Sequence, residues 1–182
     1  MTVYVPGTSE KDPSKVIMSL QAIAAQQTTI AANITTLQTS YQAAKVTGTT
    51  TNDNATAGYI GEIIDSEILS GSAISITTGV SANITSVSLT AGDWDVWGNF
   101  SIQGASSTSS LGAGITTTSA TFPTSPNKGG MIFMSGDQAG ATWPCGQRRI
   151  SIGSTTIVYL VVKATFAGTG TAFGYIGSRR VR

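Results

Sequence analysis

Between Val16 and Ala44 the apolar residues fall at Val16, Leu20, Ile23, Ile30, Ile34, Leu37, Tyr41 and Ala44, with Gln27 in the one gap. The steps alternate four and three residues without a slip. That period keeps one narrow seam turned toward a partner helix, so it predicts a coiled coil. With Leu20, Gln27, Ile34 and Tyr41 at heptad position a, position d holds Val16, Ile23, Ile30, Leu37 and Ala44. β-Branched residues at d favour three or four helices over two, and Gln27 reads as a polar layer that fixes register and strand number. No charged residue lies between Lys15 and Lys45, so the flanking positions carry no salt bridges to choose a partner. The expectation is a homotrimeric stalk; an amphipathic helix packed on its own C-terminal domain is the alternative. Asp12 and Pro13 supply a cap and a first helical residue. Over residues 13–45 such a helix reaches roughly 50 Å, and a linker follows over 46–57, where Gly48 and Thr49–Asn54 favour turns.

From Ala57 onward the period changes to two. Strands are expected near Gly58–Ser66, Ala73–Thr77, Ala82–Thr90, Trp94–Gln103, Ser110–Thr118, Gly130–Met134, Arg149–Ile152, Thr156–Ala164 and Ala172–Val181, separated by Gly, Ser, Thr and Asn clusters. Short strands without βαβ alternation predict an antiparallel sandwich or jelly roll over 58–182. The fold class is therefore α+β: an N-terminal trimeric coiled-coil helix, then an all-β, jelly-roll-like head. In Trp94–Gln103, residues Trp94, Val96, Gly98, Phe100 and Ile102 share the inward face. Trp97 is left on a polar face, as an interface residue, a ligand platform or local packing. Thr156–Ala164 is apolar on both faces, with Tyr159 and Val161 on one of them, so a neighbouring subunit is expected to cover its second side.

Composition narrows the chemistry. The 182 residues carry a net charge of +1, only 10% are charged, and there is one Cys and no His. Ser-His-Asp and Cys-His catalysis and His/Cys zinc sites are excluded, and no cofactor or metal site is expected. No global field attracts nucleic acid or an anionic membrane. Cys145 is expected to be buried rather than bridged. Lys11 and Lys15 precede an apolar run, but Glu10, Asp12, Ser19 and Gln21 spoil the pattern of a secretion signal. No run is long enough to span a bilayer.

The segments left over carry the interaction candidates. In 1–12, the β-formers Val3, Tyr4 and Val5 before Pro6 suit an extended peptide that anchors on another protein. Three loops are expected, over Ala105–Ser109, Phe122–Gly129 and Ser135–Arg148. They offer Lys128, Asp137, Gln138, Trp143 and Arg148 as candidate contacts to a saccharide or protein ligand, although Trp143 and Pro144 also suit the closing of one end of the barrel. Arg179, Arg180 and Arg182 concentrate charge at the C-terminal end; paired with Asp93, Asp95 or Glu62 they are expected to form salt bridges at a subunit interface, with a solvated tail or contact with anionic glycans as the alternatives.

The runs Leu89–Phe100, Thr155–Phe166 and Ala172–Arg182, with the opening Asp53–Glu62, resemble the C-terminal domains of tailed-bacteriophage fibre and spike proteins. More distantly they are similar to trimeric jelly rolls of the tumour-necrosis-factor type. The resemblance covers 53–182 and implies a virion-attached homotrimer whose distal domain meets the host surface or decorates the capsid. It implies virion structural proteins as partners of the N-terminus, no enzymatic activity, and a place on the particle surface. A purely structural capsid, neck or baseplate subunit is the alternative.

Overall fold

The computed structural model describes residues 13–44, 51, 53–124, 130–136 and 140–182, with helical side chains described from Leu20 to Tyr41. The chain divides into two units, Met1–Thr50 and Thr51–Arg182.

The first unit holds α1, Pro13–Ala44. Ala, Leu and Gln favour the helix, whereas threonine hydroxyls compete with its backbone. Here that competition is turned inward along the helix. Thr28, Thr29, Thr35, Thr36 and Thr39 each donate to the carbonyl one turn earlier, at 2.9–3.1 Å. The hydroxyls are thereby satisfied on heptad positions away from the apolar seam.

The second unit is an antiparallel β-sandwich of jelly-roll-like form. Its described residues give β1 (Ile63–Ile68), β2 (Ile74–Ile76), β3 (Ala82–Leu89), β4 (Gly92–Thr116), β5 (Met131–Ser135), β6 (Thr142–Ile152) and β7 (Thr156–Arg180). β4 and β7 are each 25 residues long and pair with one another almost throughout. Along their first stretch, β1 flanks β7 and β6 flanks β4; along the other, β3 flanks β7 and β5 flanks β4. β2 joins β1 beside β7 in the first stretch, pairing at Gly170–Ala172, and the long pair thus runs through both layers.

The bend between the layers lies at 103–110. The register slips between Gln103 and Ala105 and again between Ser106 and Ser110, where Gly104 and Ser107 take positive φ. The bulge reverses the parity of β4. Trp94, Val96, Phe100 and Ile102 point inward before it, and Leu111, Ala113 and Ile115 after it, all fully buried. The layers meet at Gly98, where a Cβ would lie 3.2 Å from both the Leu160 Cδ1 and the Cys145 Sγ. Each large side chain removed from water contributes about 1.5–3 kcal/mol, so this shared core holds the layers together.

Three expectations of the strand pattern are corrected. The predicted pairs Trp94–Gln103 with Ser110–Thr118, and Thr156–Ala164 with Ala172–Val181, are single strands, because small residues bulge inside a strand without ending it. The expected Ser135–Arg148 loop is strand from Thr142 onward. Pro144 argues against a strand there, but it sits beside a bulge at Cys145–Gly146, where no regular ladder bond is needed. The first strand begins at Ile63 rather than Gly58, since Gly58 and Gly61 turn the chain with φ of 87° and 94°.

Candidate functional site

The described seam residues of α1 are all exposed within the chain. Ile34 is 49% exposed, Ile23 50%, Ile30 57%, Leu20 60%, and Leu37 and Tyr41 each 68%; Gln27 is exposed with them. The side chains of Val16 and Ala44 lie outside the described ones, as do the anchor residues Val3, Tyr4, Val5 and Pro6. An isolated helix does not leave six large apolar groups in water at a fixed spacing without a stability cost. Each would gain about 1–2 kcal/mol by burial against another surface.

In the head, several residues expected at a subunit interface are placed inside the chain. Val161 has no exposure and lies outside the main core, on the opposite face of β7. Its neighbour across the ladder is Gly114, whose absent side chain leaves room for Pro123, 2.6 Å from where a Cβ would stand. Gly112 makes the same room for Phe122, whose ring meets Phe133 edge-on at 6.4 Å. The 117–124 segment therefore crosses that face. Asn83 pins it, accepting from the Ala120 N–H at 2.7 Å and donating to the Ser119 hydroxyl at 2.7 Å. The second apolar face of β7 is covered at Val161 by its own chain, not by a neighbour.

Arg180 is likewise internal, at 4% exposure. Its Nε donates to Glu62 Oε2 at 2.9 Å, its Nη1 to the Ala91 carbonyl at 2.8 Å, and its Nη2 to the Thr90 hydroxyl. Its guanidinium lies 4.3 Å from the centre of the Trp94 ring. The pairing with Glu62 expected from the sequence forms, but within one chain. Trp97 is half-buried on the outer face of β4, over Gly177, where a Cβ would meet its ring at 2.8 Å. Local packing accounts for its burial. Tyr159 is half-buried on its outer face between Ser86 and Thr116.

The receptor candidates divide. Lys128, Asp137 and Gln138 lie outside the described residues. Trp143 packs against the core, and its buried indole N–H has no acceptor among the described residues. Arg148 is half-buried and donates from Nη1 to the Ile115 carbonyl at 2.7 Å, tying β6 to the second layer. Neither is displayed on a loop. Cys145 is buried, and the loss of hydration pushes its thiol up to about 12.

The strand ladder draws Arg148 and Arg149 toward residues 93–96 of β4, beside the Arg179, Arg180 and Arg182 that the sequence already pairs with Asp93, Asp95 or Glu62. On the β6–β4–β7 ladder Arg148 is paired with Val96, Arg149 and Arg179 with Asp95, and Arg180 with Trp94. Arg182 follows, reaching Asp93 at 2.8 Å, on the same Oδ2 that Arg149 reaches at 3.0 Å. The Ser151 hydroxyl and these guanidiniums hold the Asp93 carboxyl below its usual range, against the opposing effect of its burial. The pairing register is the missing signal: arginines thirty residues apart in sequence become neighbours only once β6 and β7 flank β4. Among the described residues no group of three His, Cys, Asp or Glu side chains is placed to hold a metal ion.

No family model matches the chain, and no curated protein does. Among solved structures it is similar to the VP2 subviral particle of infectious bursal disease virus, at 16% identity and a TM-score of 0.37, over 65% of this chain and 30% of that one. It is similar also to T=1 particles derived from infectious bursal virus, at 15% identity and a TM-score of 0.42, over 75% and 36%. A third is a Bacillus endospore appendage protein, described as forming disulfide-linked pili, at 12% identity and a TM-score of 0.31, over 72% and 100%. The chain spans about a third of the length of the infectious bursal disease virus chains it matches.

Proposed function

We propose that this chain is a non-enzymatic structural subunit that assembles as a homotrimer through α1, forming the stalk and head of a tailed-bacteriophage fibre on the virion surface. The supporting observation is the exposed stripe from Leu20 to Tyr41 on a helix without a charged side chain between Val16 and Ala44. Three copies would bury Ile23, Ile30 and Leu37 in one set of layers and Leu20, Ile34 and Tyr41 in the other, with Gln27 as the polar layer. The threonines, bonded to their own helix, would face water. The N-terminal segment would dock on a virion protein, and the β-sandwich would be carried at the far end.

The alternative, a capsid-decoration, neck or baseplate subunit without a receptor role, is favoured by the structural engagement of Trp143 and Arg148. Sedimentation equilibrium of the purified chain tests the assembly, with a trimer expected and a monomer refuting it. Binding of the trimer to host cells separates the two readings: saturable adsorption supports the fibre, and none supports the structural subunit.

A further inference from the structure

Beside β6, a cleft of about 630 Å³ is lined by Asp93, Arg148, Arg149, Ser151 and Arg182, together with Thr117, Thr156, Ile150 and Ile152. We propose that this cleft binds an acidic saccharide unit, a sugar bearing a carboxylate. The inference goes beyond the assembly reading, because the cleft is built within one chain.

Charge comes first. Five arginines gather around β4 residues 93–96 in a chain whose total charge is +1, and the carboxylates ion-paired with them among the described residues are Asp93 and Glu62. Glu62 is engaged with Arg180 in the interior. At the cleft, Arg149 and Arg182 converge on one oxygen of Asp93, whose side chain is 3% exposed while theirs are 61% and 79% exposed. Each bond to Asp93 uses a single Nη2, and a guanidinium carries five N–H donors. Two like charges are thus anchored side by side with donors turned to solvent. An incoming oxyanion relieves their repulsion and suits their forked geometry.

The rest of the lining selects among anions. Thr117, Ser151 and Thr156 bring three hydroxyls, which suit a polyol: Thr117 is exposed, Thr156 donates to the Ser154 carbonyl and keeps its lone pairs for an incoming hydroxyl, and Ser151 also bonds Asp93. Among the described residues no aromatic side chain lines the cleft, so they offer none of the stacking used for single-stranded nucleic acid. The volume falls within the range of small-molecule sites.

Titration calorimetry of the full chain with digalacturonate, the neutral digalactoside and inorganic phosphate tests the proposal. Digalacturonate is expected to bind once per chain, more weakly as salt is raised. Arg149→Gln and Arg182→Gln, both at exposed side chains, should each weaken it roughly tenfold while the chain still unfolds in one cooperative transition, since each variant leaves Asp93 one of its two guanidinium partners. Equal binding of the neutral sugar, equal binding of phosphate, or undiminished binding by both variants would overturn the proposal. So would a loss of assembled mass in Arg182→Gln, which would assign the guanidiniums to a second copy of the chain.

Discussion

Removal of Glu62 provides the sharpest probe of the head. Its carboxylate is 7% exposed and accepts from Arg180 Nε and from the Gly58 N–H, both at 2.9 Å. Glu62→Ala leaves the Arg180 guanidinium 5% exposed and without its counter-charge. The bonds to Ala91 and Thr90 and the Trp94 ring remain, but none is negative. Breaking such a buried pair from one side costs about 3–5 kcal/mol, and a lost bond to the Gly58 turn adds about 1 kcal/mol. Against a domain stability of about 5–15 kcal/mol, the loss should lower the melting temperature by at least about 10 °C. Near-ultraviolet circular dichroism reads it through Trp94, at one fixed protein concentration so that assembly does not shift the midpoint. The double variant Glu62→Ala/Arg180→Met removes both charges and should recover part of the loss. A Glu62→Ala cost below about 1 kcal/mol would refute the account, since exposed pairs behave that way. A double variant no better than the single would also refute it.

Other outcomes follow from particular contacts. Ile30→Asp puts three carboxylates at one layer of the seam, and sedimentation should find monomers at micromolar concentration with the head still folded. Asn83→Ala releases the 117–124 segment at a cost of about 1 kcal/mol, read as faster hydrogen exchange at Ala120. Gly114→Val pushes into Pro123 and should destabilise the head by about 1–3 kcal/mol, measured by denaturant unfolding. Cys145 should resist thiol reagents at pH 8 until the head unfolds. Because burial raises its pKa from 9.0 to about 12, its contribution to stability is complete below pH 9. That contribution falls as the pH rises from there toward 12, which a pH series of melting temperatures would follow.

The helix, the antiparallel head and the inward face of β4 were legible because each rests on local periodicity. The predicted span 13–45 and the helix Pro13–Ala44 nearly coincide, since a 3.5-residue repeat is visible wherever it is sustained. Less legible were features set by partners distant in sequence. Ala105–Ser109 reads as a loop, yet it bulges within β4 because β7 continues beside it. Val161 asks for a cover, and nothing local says that Pro123 supplies it through the room left by Gly114. Arg180 carries an exposed residue's chemistry into the interior because Glu62 and Trp94 meet it there. The arginine-lined cleft was hidden for the same reason: its residues come from β4, β6 and the segment after β7.

Assembly through α1 is tested most directly by the mass of the intact chain in solution. Sedimentation equilibrium, with helicity followed by far-ultraviolet circular dichroism on the same sample, should return three times the 18.6 kDa chain mass. The mass of a single chain with the helix fully formed would contradict it.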